Sequence, residues 1–443
     1  MLRRLSLYLA LALAVVACTS GSETSTTVST VVETTTTLPA EDSTTTGPAP
    51  TTTTTPMPQV TQPDLSGLEG VSEEVRAQLA ELIAVAQEMR GLPFLTPPVI
   101  TIVTEEELES LVRADIEEQS EDFPGDEALY KMLGLLSDTA DFEQIVLDLY
   151  GEQVAGYYDG DTGEIVVPAR EDGFSLLQQG TMVHELVHAI TDQHFGFNEM
   201  FQSMIDEDRL DQATAYQALI EGDATLAEVL WVQTLSQEQI GEFIAESLAI
   251  DTDALNDAPR FLTESLLFPY DSGLAFVQDL YVDNGDWTGV NEAYSEMPPL
   301  PGSTEQVITP DDFGRDLPVD VEIPDLTVAG YELERTSVWG EHGFRLLLNQ
   351  GSGVETVAVA ADGWGGDTYH QWFDGENAAL LIVYSGDTSQ DVDELEDALL
   401  TFATESFPED NFAWVDQVDG NLYFIASNDT EVGERIRSDI GLG

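Results

Sequence analysis

Cysteine occurs once in 443 residues, as Cys18, and lysine once, as Lys131. A single thiol excludes intramolecular disulfides and cysteine-rich metal sites. Positive charge is scarce throughout: 14 Lys and Arg stand against 84 Asp and Glu, for a formal net charge of −70 at pH 7. A surface of that sign repels phosphate backbones, so no nucleic-acid partner is expected. Histidine is limited to five residues. Long apolar runs are missing near the start, where Leu5 to Ala17 supplies a mostly apolar stretch too short to cross a bilayer as a helix.

What is present at the start is a pattern of export. Arg3 and Arg4 precede the apolar stretch, and Val15-Val16-Ala17-Cys18 resembles a bacterial lipobox with Cys18 as the lipidated residue. Residues 1–18 are therefore expected to be a lipoprotein signal peptide. Residues 19–63 follow as a tether, with 18 Thr, 5 Ser and interspersed Pro, which has too little apolar surface to fold. The expected location is the outer face of a bacterial membrane, with membrane contact through the lipid anchor only.

The scarce histidines are concentrated. Thr181-Met182-Val183-His184-Glu185-Leu186-Val187-His188-Ala189-Ile190 contains His-Glu-x-x-His within a helical pattern. Two imidazoles four residues apart share one helix face and can take two corners of a tetrahedral Zn2+ site. Glu185, beside the first ligand, is placed to act as general base on a metal-activated water. The uncharged flanks suit a helix buried on its other faces.

A catalytic zinc needs a third protein ligand. One candidate is His194, at metzincin spacing from His184 and His188, but Thr191 stands where a Gly would let the chain turn. On an uninterrupted helix His194 lies about 9 Å beyond His188 and points about 120° away. The favoured candidate is Glu221 in Ala218-Leu219-Ile220-Glu221-Gly222-Asp223-Ala224, within a helical run from about Asp208 to Leu235. Gly222 would allow two helices to approach closely. Asp192 and Asp223 are candidates to orient a ligand imidazole. Tyr157 or Tyr158 is expected to donate to the developing oxyanion, with Tyr216 and Tyr270 as rivals. Asp159 to Glu164 has a faint calcium-loop look but lacks the full pattern, and reads as a hairpin turn; Ca2+ is a weaker second expectation.

Around these motifs the pattern is α+β. Val71 to Arg90 reads as a helix and Val99 to Val103 as a strand. Helices follow near 105–118, 126–136 and 141–149, then a hairpin at 154–158 and 164–167. After the two long helices, shorter ones are expected at 239–249, 258–267 and 273–282. Past about Asp311 the pattern becomes helices with hairpins. Residues 64–310 are thus expected to form a zincin-like, mainly helical catalytic domain with a small mixed sheet. Residues 311–443 are expected to form a smaller α+β module with antiparallel strands. His342 and His370 fall in that module and are expected to be unrelated to the metal.

Several segments together resemble bacterial exported gluzincin-like metallopeptidases of the peptidase MA group. They are Gly156-Tyr157-Tyr158-Asp159, His184 to Phe195, Ala218 to Thr225, Pro301 to Gln306 and Gly363-Trp364-Gly365-Gly366-Asp367. The resemblance implies His184, His188 and Glu221 as zinc ligands, Glu185 as base, and a peptide or protein substrate. The alternative expectation is a catalytically inactive, zinc-stabilised surface binding module.

Overall fold

The computed structural model describes the backbone of Leu7–Leu11 and residues 71–118, 120, 123–169, 173–295, 300–350 and 354–442. Cys18 and the 19–63 tether lie outside the described residues. Among the described residues no helix is long and apolar enough to cross a membrane.

The architecture is α+β, with two small sheets among many helices. The first sheet has the order β1 (Leu7–Leu11), β3 (Val154–Asp159), β4 (Glu164–Pro168), β2 (Val99–Val103). β2 runs parallel to β4, whereas β3 is antiparallel to β4 and β1 antiparallel to β3. The stretch read as the core of an export leader thus supplies an edge strand, with Leu9 opposite Tyr157. Asp159 closes the β3–β4 turn by accepting from the Asp161 and Thr162 amides at 2.9 and 3.3 Å. That is an Asx-type hairpin turn, as the sequence suggested.

Four helices build the first core. α1 (Glu73–Arg90) starts at Ser72, whose hydroxyl accepts from Val75 N, and ends at Gly91 in the left-handed region. Its buried Val75, Leu79, Leu82, Ile83 and Ala86 follow the three-and-four spacing of one helix face. α2 (Leu176–Phe195) starts with a Ser175–Gln178 capping box and ends at Gly196, φ 63°. Every residue from Gly180 to Thr191 is buried, so this helix is covered on all sides. α3 (Phe197–Asp206) follows directly, and α4 (Leu210–Val232) is buried almost as completely as α2.

α5 (Arg260–Asn284) runs unbroken through Pro269, where the sequence pattern suggested two helices. The reason is tertiary. A Cβ on Gly222 of α4 would stand 2.1 Å from the Gly273 carbonyl oxygen, and one on Gly273 of α5 would stand 2.2 Å from that of Ala218. The two backbones touch, and that packing offsets the one helical hydrogen bond Pro269 forfeits. Gly273→Ala is therefore expected to lower unfolding stability by about 1–3 kcal/mol through forced separation of α4 and α5, measured as a reduced denaturant midpoint.

The second sheet has the order β5 (Glu332–Ser337), β6 (Trp364–Phe373), β7 (Ala378–Gly386), β9 (Asn421–Ser427), β8 (Phe412–Val418). All four pairings are antiparallel. The packing does not divide at residue 311. One apolar core joins Leu108, Leu129, Phe142 and Phe261 to Phe344, Leu380, Leu399 and Phe424. The helix Phe123–Met132 lies against β6 and β7, whereas the helix Glu105–Glu118 lies against β3 and β4 and against the helix Phe142–Gln153.

Two of the segments singled out in the sequence become structural joints. α6 (Thr304–Ile308) is tied to the first turn of α4 by Asp211, which accepts from the Thr304 amide at 3.1 Å and hydroxyl at 2.6 Å. Asp367, the last residue of Gly-Trp-Gly-Gly-Asp, accepts from the Trp339 and Gly340 amides and from Trp364 Nε1 at 2.7–2.8 Å. It thereby holds the start of α7 (Gly340–Leu348) against β6.

Candidate metal centre

α2 presents His184 and His188 on one face, and α4 crosses it with Glu221. The three donor atoms converge: His184 Nε2 to His188 Nε2 is 3.0 Å, His184 Nε2 to Glu221 Oε2 is 3.1 Å, and His188 Nε2 to Glu221 Oε2 is 3.3 Å. A tetrahedral ion with ligand bonds of about 2.0–2.1 Å has edges of roughly 3.3 Å. The triangle therefore has the size of one face of a tetrahedral site. All three residues are fully buried, and among the described residues they are the one His/Cys/Asp/Glu group close enough to hold a metal ion.

Electrostatics says what the site wants. Burial opposes charge on His184, but the hydrogen bond with Glu221 and the Glu228 carboxylate 3.6 Å from Nδ1 overcome it and push the imidazole up to about 10. Burial lowers His188, and the neighbouring His184 charge adds to that against the pull of Glu221. Glu221 is driven up by burial yet ends below the usual carboxylate range, because both histidines stabilise its charge. Three buried donors that share one charge form a group that could hold a metal ion.

The sequence did not single out Glu228. It lies two turns beyond Glu221 on α4, is 6% exposed, and places Oε2 3.6 Å from His184 Nδ1. Gly180 makes room, since a Cβ there would meet Glu228 Oε1 at 2.8 Å. A carboxylate behind a ligand imidazole orients the ring and raises its basicity. Glu228→Ala is expected to weaken metal affinity by about 10–100-fold, read in a chelator competition titration. Tyr270 of α5, one of the two rivals named for the oxyanion, also lies beside the triad. It is buried, and its ring lies 6.3 Å from that of His184 at 29°. Burial, then the charges of Glu221 and Glu185, hold its phenol far above its usual range.

Glu185 is fully buried beside His184, and its charge reaches Tyr270. His194 is not brought to the triad; α2 continues straight, and His194 Nε2 meets the Pro93 carbonyl at 2.8 Å. Thr191 stays helical, donating to the Val187 carbonyl, so the turn a third histidine requires does not form. Asp192 orients no ligand: it accepts from Tyr158 OH at 2.7 Å and from Asn198 N at 3.0 Å. Tyr158 is thereby committed away from the triad. Tyr157 points to the opposite sheet face, where Asp159, Glu164 and Asp115 act on it. Tyr216 packs edge-on to Tyr294.

Asp223 makes an ion pair with Arg90 at 2.6 Å and accepts from Tyr294 OH at 3.0 Å; it acts on His188 only through its field. His342 stacks on Phe268 at 3.9 Å, and His370 Nδ1 pairs with Thr336 Oγ1. Neither reaches the triad.

No family model matches the chain, and no curated protein matches it. Among solved structures it is similar to a Chloroflexus aurantiacus protein presented as a candidate hydrolase with a novel fold. That likeness has 16% identity and a TM-score of 0.35, over 55% of this chain and 91% of the other. A similarity that remote carries no conclusion about activity.

Proposed function

We propose that the protein is a zinc-dependent peptidase of the gluzincin type, exported and held by a lipid at Cys18 on the outer face of a bacterial membrane. The observation that carries this reading is the buried triangle of His184 Nε2, His188 Nε2 and Glu221 Oε2 with Glu185 one residue from its first corner. Two imidazoles and a carboxylate suit zinc, which when bound supplies a Lewis acid and a water acidic enough to ionise near pH 7.

The chain's own residues do the rest. Glu185 accepts a proton from the attacking water at its carboxylate and passes it to the leaving amine. Glu228 keeps the His184 ring turned toward its partners. Tyr270 stacks on the His184 ring and feels the charges of Glu221 and Glu185, which makes it the candidate phenol for the developing oxyanion in place of Tyr157 and Tyr158.

The small sheet supports a peptide substrate. A Cβ at Gly156 of β3 would lie 3.1 Å from Thr181 Cγ2, so β3 rests on the metal-bearing helix. Its outer edge takes an extended segment in antiparallel register, as Leu7–Leu11 does. Removal of the leader leaves that edge to a substrate strand.

The test is cleavage of a broad peptide library by zinc-loaded protein, with and without a zinc chelator. Cleavage abolished by the chelator and restored by zinc is expected. Stoichiometric zinc with no cleavage of any peptide would instead make the protein a zinc-stabilised binding module.

A further inference from the structure

A cavity of about 140 Å³ lies where the helices Phe123–Met132 and Phe142–Gln153 meet α4, α5, α7 and β6. The peptidase reading gives it no role. Its walls are mostly apolar, with Leu129, Phe142, Val146, Leu149, Phe261 and Leu347 among them. Aromatic rings complete the lining and brace one another. Tyr130 packs on Phe261 at 4.7 Å and on Phe142 at 5.4 Å, and Trp339 stands edge-on to Tyr369 at 5.3 Å. Contacts of this kind hold rings in fixed places. His342 and Leu346 line both this cavity and an open groove of about 640 Å³ beside α5, so one layer of side chains separates it from solvent.

The polar groups of the wall narrow what it can take. Trp339 Nε1, Arg335 Nε and His342 Nε2 are buried and, among the described residues, have no hydrogen-bond partner. An indole or guanidinium N–H can only donate, and a buried donor left unpaired is costly. Trp339 and His342 are three residues apart at the start of α7, about one turn, so their side chains share a face. The charged groups are already engaged. Arg335 Nη1 donates to Asp126 at 3.0 Å, and Asp211 accepts from the Thr304 amide and hydroxyl. Neither an anion nor a cation would find a free counter-charge. Burial pulls His342 down to about 3, with Arg345 adding to it, so the imidazole is neutral near pH 7. Burial raises the Tyr130, Tyr150 and Tyr369 phenols, which keep their protons.

We propose that this cavity binds a neutral, single-ring aromatic molecule of the phenol type, with its ring among Tyr130, Phe142 and Phe261 and its oxygen on the Trp339 N–H. The space has about the volume that takes up one benzene ring. Aromatic walls favour an aromatic guest through offset and edge-on contacts. The phenol oxygen accepts from Trp339 Nε1, and its own O–H has the neutral His342 Nε2 as acceptor. A side chain of a bound peptide is the rival occupant. Against it, Leu149 and Tyr150 close the cavity on the side of Tyr270, with which they form one apolar cluster. Beyond Tyr270, His184, His188 and Glu221 are 0–1% exposed.

The experiment uses the full-length, zinc-loaded protein. Phenol is titrated by calorimetry, with benzene and benzoate as comparisons, and melting is followed with each. Expected is one saturable phenol site per chain with a dissociation constant of roughly 0.1–1 mM, as suits a ligand of so few atoms, and a raised melting temperature. Benzoate is expected to bind at least tenfold more weakly, because its charge goes unpaired. Trp339→Phe keeps a ring and removes the N–H. It is expected to weaken phenol about three- to tenfold and to leave benzene unchanged. Val146→Phe fills the cavity and is expected to abolish binding of both, with zinc content unchanged. Should Val146→Phe fail to fold, the partly exposed Leu262→Trp fills the same space. The proposal is overturned if phenol shows no saturable binding, or if the filled variant binds it as the wild type does. It is equally overturned if benzoate binds as tightly as phenol, or if Trp339→Phe leaves phenol affinity unchanged. Competition between phenol and a cleaved peptide would make the cavity a substrate pocket and overturn it too. The binding result does not depend on peptidase activity.

Discussion

Glu185→Gln is expected to reduce peptide hydrolysis by about 10²–10⁴-fold while zinc content stays at the wild-type level. The substitution keeps shape and removes only the ability to take up a proton. Glu185 is completely buried on α2 and is not a corner of the ligand triangle, so the amide leaves His184, His188 and Glu221 in place. The loss falls on kcat, since the general base acts in the transition state and not in substrate binding. Steady-state kinetics on a peptide cleaved by the wild type, with metal analysis of the same sample, checks this. Undiminished turnover in Glu185→Gln would remove the proposed mechanism and leave the metal site standing.

The largest expected effect on stability lies one layer behind the His184 triad. Arg90 and Asp223 are both 0% exposed and 2.6 Å apart. Arg90 also donates to Asn291 at 2.8 Å and lies 4.4 Å over the Trp287 ring. Arg90→Met leaves a carboxylate buried without its counter-charge, for a loss of about 3–5 kcal/mol. Burial already raises Asp223 above its ordinary value, with Arg90 opposing; losing Arg90 raises it further. A group raised in the folded state favours folding at low pH and loses that contribution as pH rises through its folded value. The penalty of Arg90→Met is therefore expected to be smaller at pH 5 than at pH 8. The double variant Arg90→Met/Asp223→Leu is expected to recover much of the loss, since an apolar pair of similar volume carries no desolvation cost. Urea denaturation at both pH values measures all of this. A penalty independent of pH, with no recovery in the double variant, would contradict the assignment.

The convergence of His184, His188 and Glu221 was legible because each piece carries a local pattern. His184 and His188 are fixed by helical spacing alone, and Glu221 sits in a recognisable run beside Gly222. Gly222 does face the backbone of a neighbouring helix, though the neighbour is α5 rather than α2. Thr191 gave the correct sign against His194, since a β-branched residue keeps the helix going. Glu228 was hidden among 84 acidic residues, and only its position two turns after Glu221 marked it. Tyr270 was named among the rivals for the oxyanion, but its place on one long helix was hidden by Pro269, which broke the helical pattern that tertiary packing restores.

Tyr157 and Tyr158 illustrate the limit of adjacency. A strand sends neighbours to opposite faces, and here both faces carry their hydroxyls away from the His184 triad. The shared core of the 105–153 helices and the C-terminal sheet could not be read, because nothing local encodes which long-range face a helix covers. The export leader and tether remain a reading of composition.

The central claim is that two imidazoles of α2 and one carboxylate of α4 hold a single metal ion. Elemental analysis of the protein loaded with zinc and passed through a desalting column tests it directly, with His188→Ala and Glu221→Ala alongside. Close to one zinc per chain in the wild type and almost none in either variant is expected. A metal-free wild type, or variants that retain zinc as well as the wild type does, would contradict it.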